Sequence, residues 1–330
     1  MKRLVVLLLA AGFLGLAFGA VSCAVDREDT ETDYYNRALA AWVRIHCDPV
    51  PAADDSGVFF LEYTPGGGER IPDTGYVFVS YVRKSLQGNI ASTNDEQLNR
   101  QLGTWTRTGY YGSRIWQAGY NFLPIALENA FRRMNVGDRA VIAVPAPQTR
   151  VVNTLYSTFP SVESANVIYE VAIDSVKRDI MAWQDERLAD RSRTLYGGVD
   201  TLVDGLYFVP VGAPSGDSIP NERTLNIRYI GRRFDGTVFD TNIRDTARAH
   251  RIFSESNAYS ALNITYHRDF DEMKQNNTSY ISGFLRGIHE TKIGDTSIVF
   301  FRSDHGYGQR GNTSSIPEYC PLEFTVIIEK

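Results

Sequence analysis

Leu225-Asn226-Ile227-Arg228-Tyr229-Ile230-Gly231, followed after three intervening residues by Asp235-Gly236-Thr237-Val238-Phe239-Asp240, is the stretch on which the fold turns. Leu225, Ile227 and Tyr229 alternate with Asn226 and Arg228, so a strand here has one apolar and one polar face. Leu322, Phe324, Val326 and Ile328 do the same around Glu323 and Thr325. Residues 296–301 are almost continuously apolar, as in a strand covered on both faces. After Gly283, Phe284 and Ile288 stand four apart, which predicts a short helix. Several antiparallel strands with one helix make an α+β fold, a sheet curled over that helix.

The chain carries this module twice. Ser56-Gly57-Val58-Phe59-Phe60 answers to Asp204-Gly205-Leu206-Tyr207-Phe208, Ile71-Pro72 to Ile219-Pro220, Tyr81 to Tyr229 and Gly88 to Gly236, always 148 positions apart. Gly137-Asp138 answers to Gly294-Asp295 at 157 positions, so the second copy has about nine more residues in between. Two copies are too few for a solenoid and predict tandem domains. Residues 123–134 are the first copy's helix, with Leu123, Leu127, Ala130, Phe131 and Met134 on one stripe. Helical spacing is also present at 32–45, through Tyr35, Leu39, Trp42 and Val43. A mostly polar connecting helix is predicted over 177–196, ended by Gly197-Gly198.

At the N-terminus, Lys2 and Arg3 precede an apolar run over 4–20, the pattern of a signal peptide. Ala20-Val21-Ser22-Cys23 resembles a bacterial lipobox. The resemblance implies that Cys23 is lipidated, becomes the first residue of the mature chain and anchors it by acyl chains. Ala24, rather than Asp, after that cysteine favours the outer membrane, with the protein facing the periplasm or the surface. Asp26, Glu28, Asp29, Glu31 and Asp33 form an acidic run. It reads as a solvated tether, and it also resembles the surface-export runs of Bacteroides-group lipoproteins. The expected organisation is a signal peptide over 1–22, an acidic tether and helix over 23–54, domains over 55–176 and 203–330, and a helical linker over 177–202.

Composition narrows the function. With 34 basic and 39 acidic residues the formal charge is −5, which argues against a nucleic-acid partner. Three cysteines and five scattered histidines give no metal-ligand pattern, and neither a metal nor a cofactor is expected. An oxidising compartment permits a bridge between Cys47 and Cys320, and the sequence leaves it open. Gly66-Gly67-Gly68 lacks the Lys-Ser/Thr ending of a phosphate loop, and His289-Glu290 lacks the second histidine of a zinc helix.

Three stretches of the second copy occur in a telling order: the opening runs up to Asp240, then Ile281-Ser282-Gly283-Phe284, then Gly306-Tyr307-Gly308 with Ile316-Pro317 and Phe324. From about residue 225 to 330 this resembles the FKBP-type peptidyl-prolyl isomerases, the macrolide-binding immunophilins. The resemblance implies a pocket with Phe284 as its floor and Tyr229, Phe239 and Phe324 as its walls. Asp240 would be its one buried charge, Ile281 would offer its N–H, Tyr307 its hydroxyl, and Ile316 would close the rim. Its clients would be proline-containing polypeptides. Phe284 departs from the family's usual Trp, and Tyr280 from a smaller aliphatic residue.

A larger departure is the length between Asp240 and Phe284, about twice that of small members. This insertion, near 243–279, is either a client-binding flap or a solvated loop with its own cluster. The first copy has Ile90-Ala91 opposite Phe239-Asp240, Leu127 opposite Phe284 and Arg150 opposite Tyr307. It is therefore expected to keep the fold without activity. Two functions follow: isomerisation of X–Pro bonds in exported proteins, or binding without turnover as a chaperone.

Overall fold

The computed structural model describes residues 31–155, 157–213, 216–312 and 314–330. The signal-peptide run, Cys23 and the start of the acidic run lie outside them. Among the described residues no helix is long and apolar enough to cross a membrane.

Helix α1 (Glu31–His46) precedes a first antiparallel sheet of β1 (Phe59–Thr64), β2 (Gly75–Ser85), β3 (Ile90–Thr93), β4 (Arg114–Ala118), β5 (Arg139–Val144) and β6 (Val167–Lys177). Short helices α2 (Glu96–Gln101) and α3 (Ile125–Phe131) lie in its connections. Helix α4 (Ile180–Tyr196) leads to a second sheet: β7 (Thr201–Val203), β8 (Leu206–Pro210), β9 (Thr224–Arg233), β10 (Val238–Thr241), β11 (Leu262–Thr265), β12 (Thr296–Phe301) and β13 (Leu322–Ile328). Its helices are α5 (Arg244–Ala249), α6 (Phe270–Asn276) and α7 (Ser282–Glu290). The strand orders are β1-β5-β6-β2-β3 with β4 on β2, and β10-β9-β13-β12-β8-β7 with β11 on β9. Apart from the small strand β7, the two sheets share one topology, the α+β arrangement expected from the strand pattern.

The repeat holds residue by residue. Asn94 and Asn242, 148 positions apart, make the same buried knot. Each side-chain oxygen accepts from a strand N–H, Tyr81 at 2.7 Å or Tyr229 at 2.9 Å. Each amide nitrogen donates to two carbonyls, of Val79 and Gly112 or of Ile227 and Ser260. A buried amide held by three bonds fixes the edge strand against its neighbour, because leaving any one unmade costs about 1–3 kcal/mol.

This register corrects one sequence alignment. Asp240 pairs with Gly231 and Ser92 with Arg83, so Ala91-Ser92, not Ile90-Ala91, stands opposite Phe239-Asp240. It also resolves the insertion. Helices α2 and α5, and strands β4 and β11, keep the 148-residue offset, so most of 243–279 has a counterpart in the first copy. The additional nine residues hold α6. Ile264 and Met273 are fully buried, so β11 and α6 pack on the core of the second copy, while residues 255–258 between α5 and β11 are exposed.

Helix α7 lies close on its sheet. A Cβ on Gly283 would stand 2.5 Å from the Phe301 ring, and one on Gly287 2.5 Å from Val299. In the first copy the matching residues are buried Ala126 and Ala130. Larger side chains would lift either helix off the core, so small residues here set the depth of the layer beneath the site.

The two flanking helices pack more tightly than their composition suggests. Leu39 and Val43 of α1 are fully buried against Phe59, Ala143 and Ile168, which makes this helix part of the first domain. Helix α4 starts on Asp179, whose side chain accepts from Met181 and Ala182 N–H, and ends at Gly197 with φ 73°. Its sequence predicts a mostly polar connector. In the structure Gln184 is fully buried and bonds the N–H and hydroxyl of Ser303, while Arg191 and Tyr196 both reach buried Glu323. Its polar residues are matched partners of the second domain. Cys47 and Cys320 are free thiols, so the bridge left open by sequence is not formed.

Candidate functional site

Strands β9, β10 and β13 bring one wall together, since Gly231 pairs with both Asp240 and Phe324. Tyr229 lies two residues from Gly231 on the same face of β9. The Phe324 ring lies 5.0 Å from Phe284, 5.7 Å from Phe239 and 6.3 Å from Tyr229. Tyr229 meets Phe284 edge-on at 5.5 Å. Phe284 and Phe324 are almost wholly buried, whereas Phe239 and Tyr229 are half-buried and continue the aromatic surface outward. Gly231 makes room for it. A Cβ there would stand 2.7 Å from the Phe239 ring and 3.0 Å from Phe324.

Ile281 precedes the first turn of α7 as its N-cap, with φ −70° and ψ 144°. Its N–H is donated to none of the described residues and sits at the positive end of the helix. Tyr307 and Tyr280 pack at the rim, and Ile316 is buried against the same cluster. The eight residues proposed from sequence therefore gather in one place.

Asp240 departs from expectation. It is exposed, not buried, because it lies on edge strand β10 at the outer end of the site. Its Oδ2 accepts the Tyr229 hydroxyl at 2.6 Å. Burial, and then this hydrogen bond, push the Tyr229 phenol well above its ordinary value. Burial raises Tyr307 too, opposed by the Asn312 side chain and aided by the charge of Asp240. Both phenols thus stay protonated and able to donate. Sequence alone assigns no role in the site to Asn242, Gly231 or Asn312. The signal for Asn242 was there, since Asn94 repeats it at the offset already found.

The family model for FKBP-type peptidyl-prolyl cis-trans isomerases matches residues 216–329. Those residues are an FKBP-type domain. A Haemophilus influenzae protein named as a probable FKBP-type peptidyl-prolyl cis-trans isomerase is 24% identical over 159 residues, 47% of this chain and 56% of that protein. The chain thus spans little more than half the length of that relative. Among solved structures, the three FKBP domains of a wheat protein align over 84% of this chain and 95% of their own, at 17% identity and a TM-score of 0.30. FkpA from Escherichia coli aligns over 45% of this chain and 57% of its own, at 22% identity and a TM-score of 0.32.

The first copy offers a different surface where the FKBP-type domain has its aromatic cluster. Arg83 replaces Gly231, Tyr169 replaces Phe324 and Ser92 replaces Asp240 in the matching pairs. Leu127 and Arg150 stand for Phe284 and Tyr307, as the sequence indicated. Arg83 is ion-paired with Glu163, and the cavity here, about 400 Å³, is lined by Tyr81, Arg83, Ser92, Arg114 and Trp116. Here the guanidinium groups of Arg83 and Arg114 share the cavity with the rings of Tyr81, Trp116 and Phe159.

Proposed function

We propose that the FKBP-type domain catalyses cis/trans isomerisation of X–Pro bonds in exported polypeptides. The observation that carries this reading is the joint placement of Tyr229, Phe239, Phe284 and Phe324 around one surface, with the Ile281 N–H and the Tyr307 hydroxyl at its edge.

Rotation about a peptide bond meets a barrier of about 18–20 kcal/mol, because twisting breaks amide resonance. For X–Pro the two isomers lie within about 1 kcal/mol, so the barrier alone makes exchange slow. No covalent bond to another atom forms or breaks, and no nucleophile is required. The planar amide is the more charge-separated form, so an apolar site that excludes water disfavours it relative to the twisted form. The Ile281 N–H is oriented by the helix start to hold a substrate carbonyl, and the Tyr307 hydroxyl is a second donor. Lowering the barrier by about 5.5 kcal/mol corresponds to roughly 10⁴-fold.

The lipobox resemblance supports the finer part of the proposal, in which Cys23 tethers the protein to the bacterial outer membrane and its clients are periplasmic or surface proteins. Fatty-acid incorporation by wild type and its loss in Cys23→Ser tests the anchor. A proline-peptide isomerisation assay on the full chain, beside Asp240→Ala and Tyr307→Phe, tests the activity. Turnover that both changes reduce supports it. No turnover by the folded wild type would move the reading to a binding module that acts without catalysis.

A further inference from the structure

We propose that the first domain is a positioning jaw for the Ile316 loop, with Arg114 and Glu318 as its positioning residues; the inference rests on the isomerase reading of the same site. Between Tyr307 and β13 the chain runs through residues 308–321. Its described residues form a short helical turn at Gly308–Arg310, Asn312 and Ile316 exchange backbone bonds of 2.8 and 3.2 Å, and the Tyr319 N–H reaches Gly308 O at 2.9 Å. Its inner side places buried Ile316 on the aromatic cluster.

Its outer side is held by the first domain along its length. Arg310 donates to Leu155 O, and the Tyr110 N–H donates to Ser314 O at 3.0 Å. Arg233, 3% exposed, gathers carbonyls from both domains: Ser315 at 2.5 Å, Thr108 at 2.6 Å and Gly109 at 3.2 Å. Glu318, also 3% exposed, accepts from Arg114 Nε at 2.8 Å and Nη2 at 2.5 Å. Tyr319 packs edge-on against Tyr76 at 5.2 Å. Arg114 lies on β4, so the partner is part of a sheet rather than a mobile strap.

Glu318 is two residues from Ile316. A buried carboxylate that loses its cation is strongly destabilised where it is, because the loss leaves a desolvated and uncompensated charge, and moving toward water relieves that cost. Removing Arg114 therefore moves Glu318 toward water and carries the rim with it. Ile316 would contact the substrate before and during rotation alike, so the loss falls on binding rather than on the twisting step. Lys in place of Arg114 keeps the charge but not the two-pronged geometry.

The test uses the full chain with short proline peptides differing in the residue before proline. Arg114→Ala is expected to raise KM about tenfold with kcat within about twofold, and Arg114→Lys to fall between. The exchanged pair, Arg114→Glu with Glu318→Arg, is expected to bring KM back to within about threefold of wild type. Hydrogen exchange at Asn312, Ile316 and Tyr319 is expected to speed up about tenfold in Arg114→Ala while α7 is unchanged. Unchanged exchange at these amides in folded Arg114→Ala or Arg114→Lys overturns the proposal, as does an unchanged KM. A wild type without turnover contradicts the isomerase reading instead, and exchange alone then decides whether the first domain holds the loop.

Discussion

The Tyr229 hydroxyl donates to Asp240 Oδ2 at 2.6 Å, joining the end of β9's aromatic wall to the exposed carboxylate of the edge strand β10. The bond orients the Tyr229 ring, which meets Phe284 edge-on, and so connects the mouth of the site to its floor. Tyr229→Phe removes the donor and keeps the ring. Because water can replace the hydroxyl at an exposed carboxylate, the expected loss in kcat/KM is about three- to tenfold, up to about 1.4 kcal/mol. Steady-state isomerisation kinetics at matched folding stability check this.

Gly231→Ala places a methyl group 2.7 Å from the Phe239 ring and 3.0 Å from Phe324. Both rings must shift, and overpacking of this kind costs about 1–3 kcal/mol. Thermal unfolding is expected to report that loss, together with a fall in isomerase rate larger than that of Tyr229→Phe. An unchanged rate would mean that these two walls do not shape the site.

Helix α6 is held to α7 partly through His289, which contacts Glu290 at 3.0 Å and Arg268 O at 3.1 Å and lies against the rings of Tyr266 and Phe270. The hydrogen bond to Glu290 raises His289 above its ordinary 6.5, and the same bond lowers Glu290 below 4.5. The histidine contribution is full below 6.5 and is lost as pH rises through the raised value. The glutamate contribution is full above 4.5 and is lost as pH falls through the lowered value. The contact is therefore strongest between about pH 4.5 and 6.5. Protection of the α6 amides, taken relative to intrinsic exchange at each pH, should be greatest in that window and fall on both sides, and His289→Gln should flatten the alkaline limb.

Glu323 is 3% exposed and receives the Arg191 Nε–H at 2.7 Å and the Tyr196 hydroxyl at 2.6 Å. Arg191→Ala leaves that carboxylate buried with the phenol as its remaining side-chain donor. The expected destabilisation is about 3–5 kcal/mol, measured by denaturant unfolding. Arg191→Ala with Glu323→Gln should recover part of it.

Much of this fold was legible in residue order because strand alternation and the 148-residue repeat are both local signals. Leu225, Ile227 and Phe324 declare their faces by spacing alone, and burial in the structure follows them. The site residues were legible as a set only through the resemblance to the FKBP-type isomerases, whose order and spacing they match. What sequence could not give is what lies across space. Glu323 reads as a solvent-facing residue of its strand and is buried, because α4 brings two donors to it. Asp240 reads as a buried charge and is exposed, because β10 is an edge strand. The contacts of Arg233 and Glu318 join residues more than a hundred positions apart, and no periodicity announces them.

The second domain alone is predicted to carry the chemistry. Full-length protein should accelerate prolyl isomerisation in a short peptide, and Asp240→Ala combined with Phe239→Ala should bring the rate to background. The first copy, with Arg83 and Ser92 in the corresponding places, should contribute nothing. Activity that survives this double substitution in a folded protein would contradict the assignment of the site.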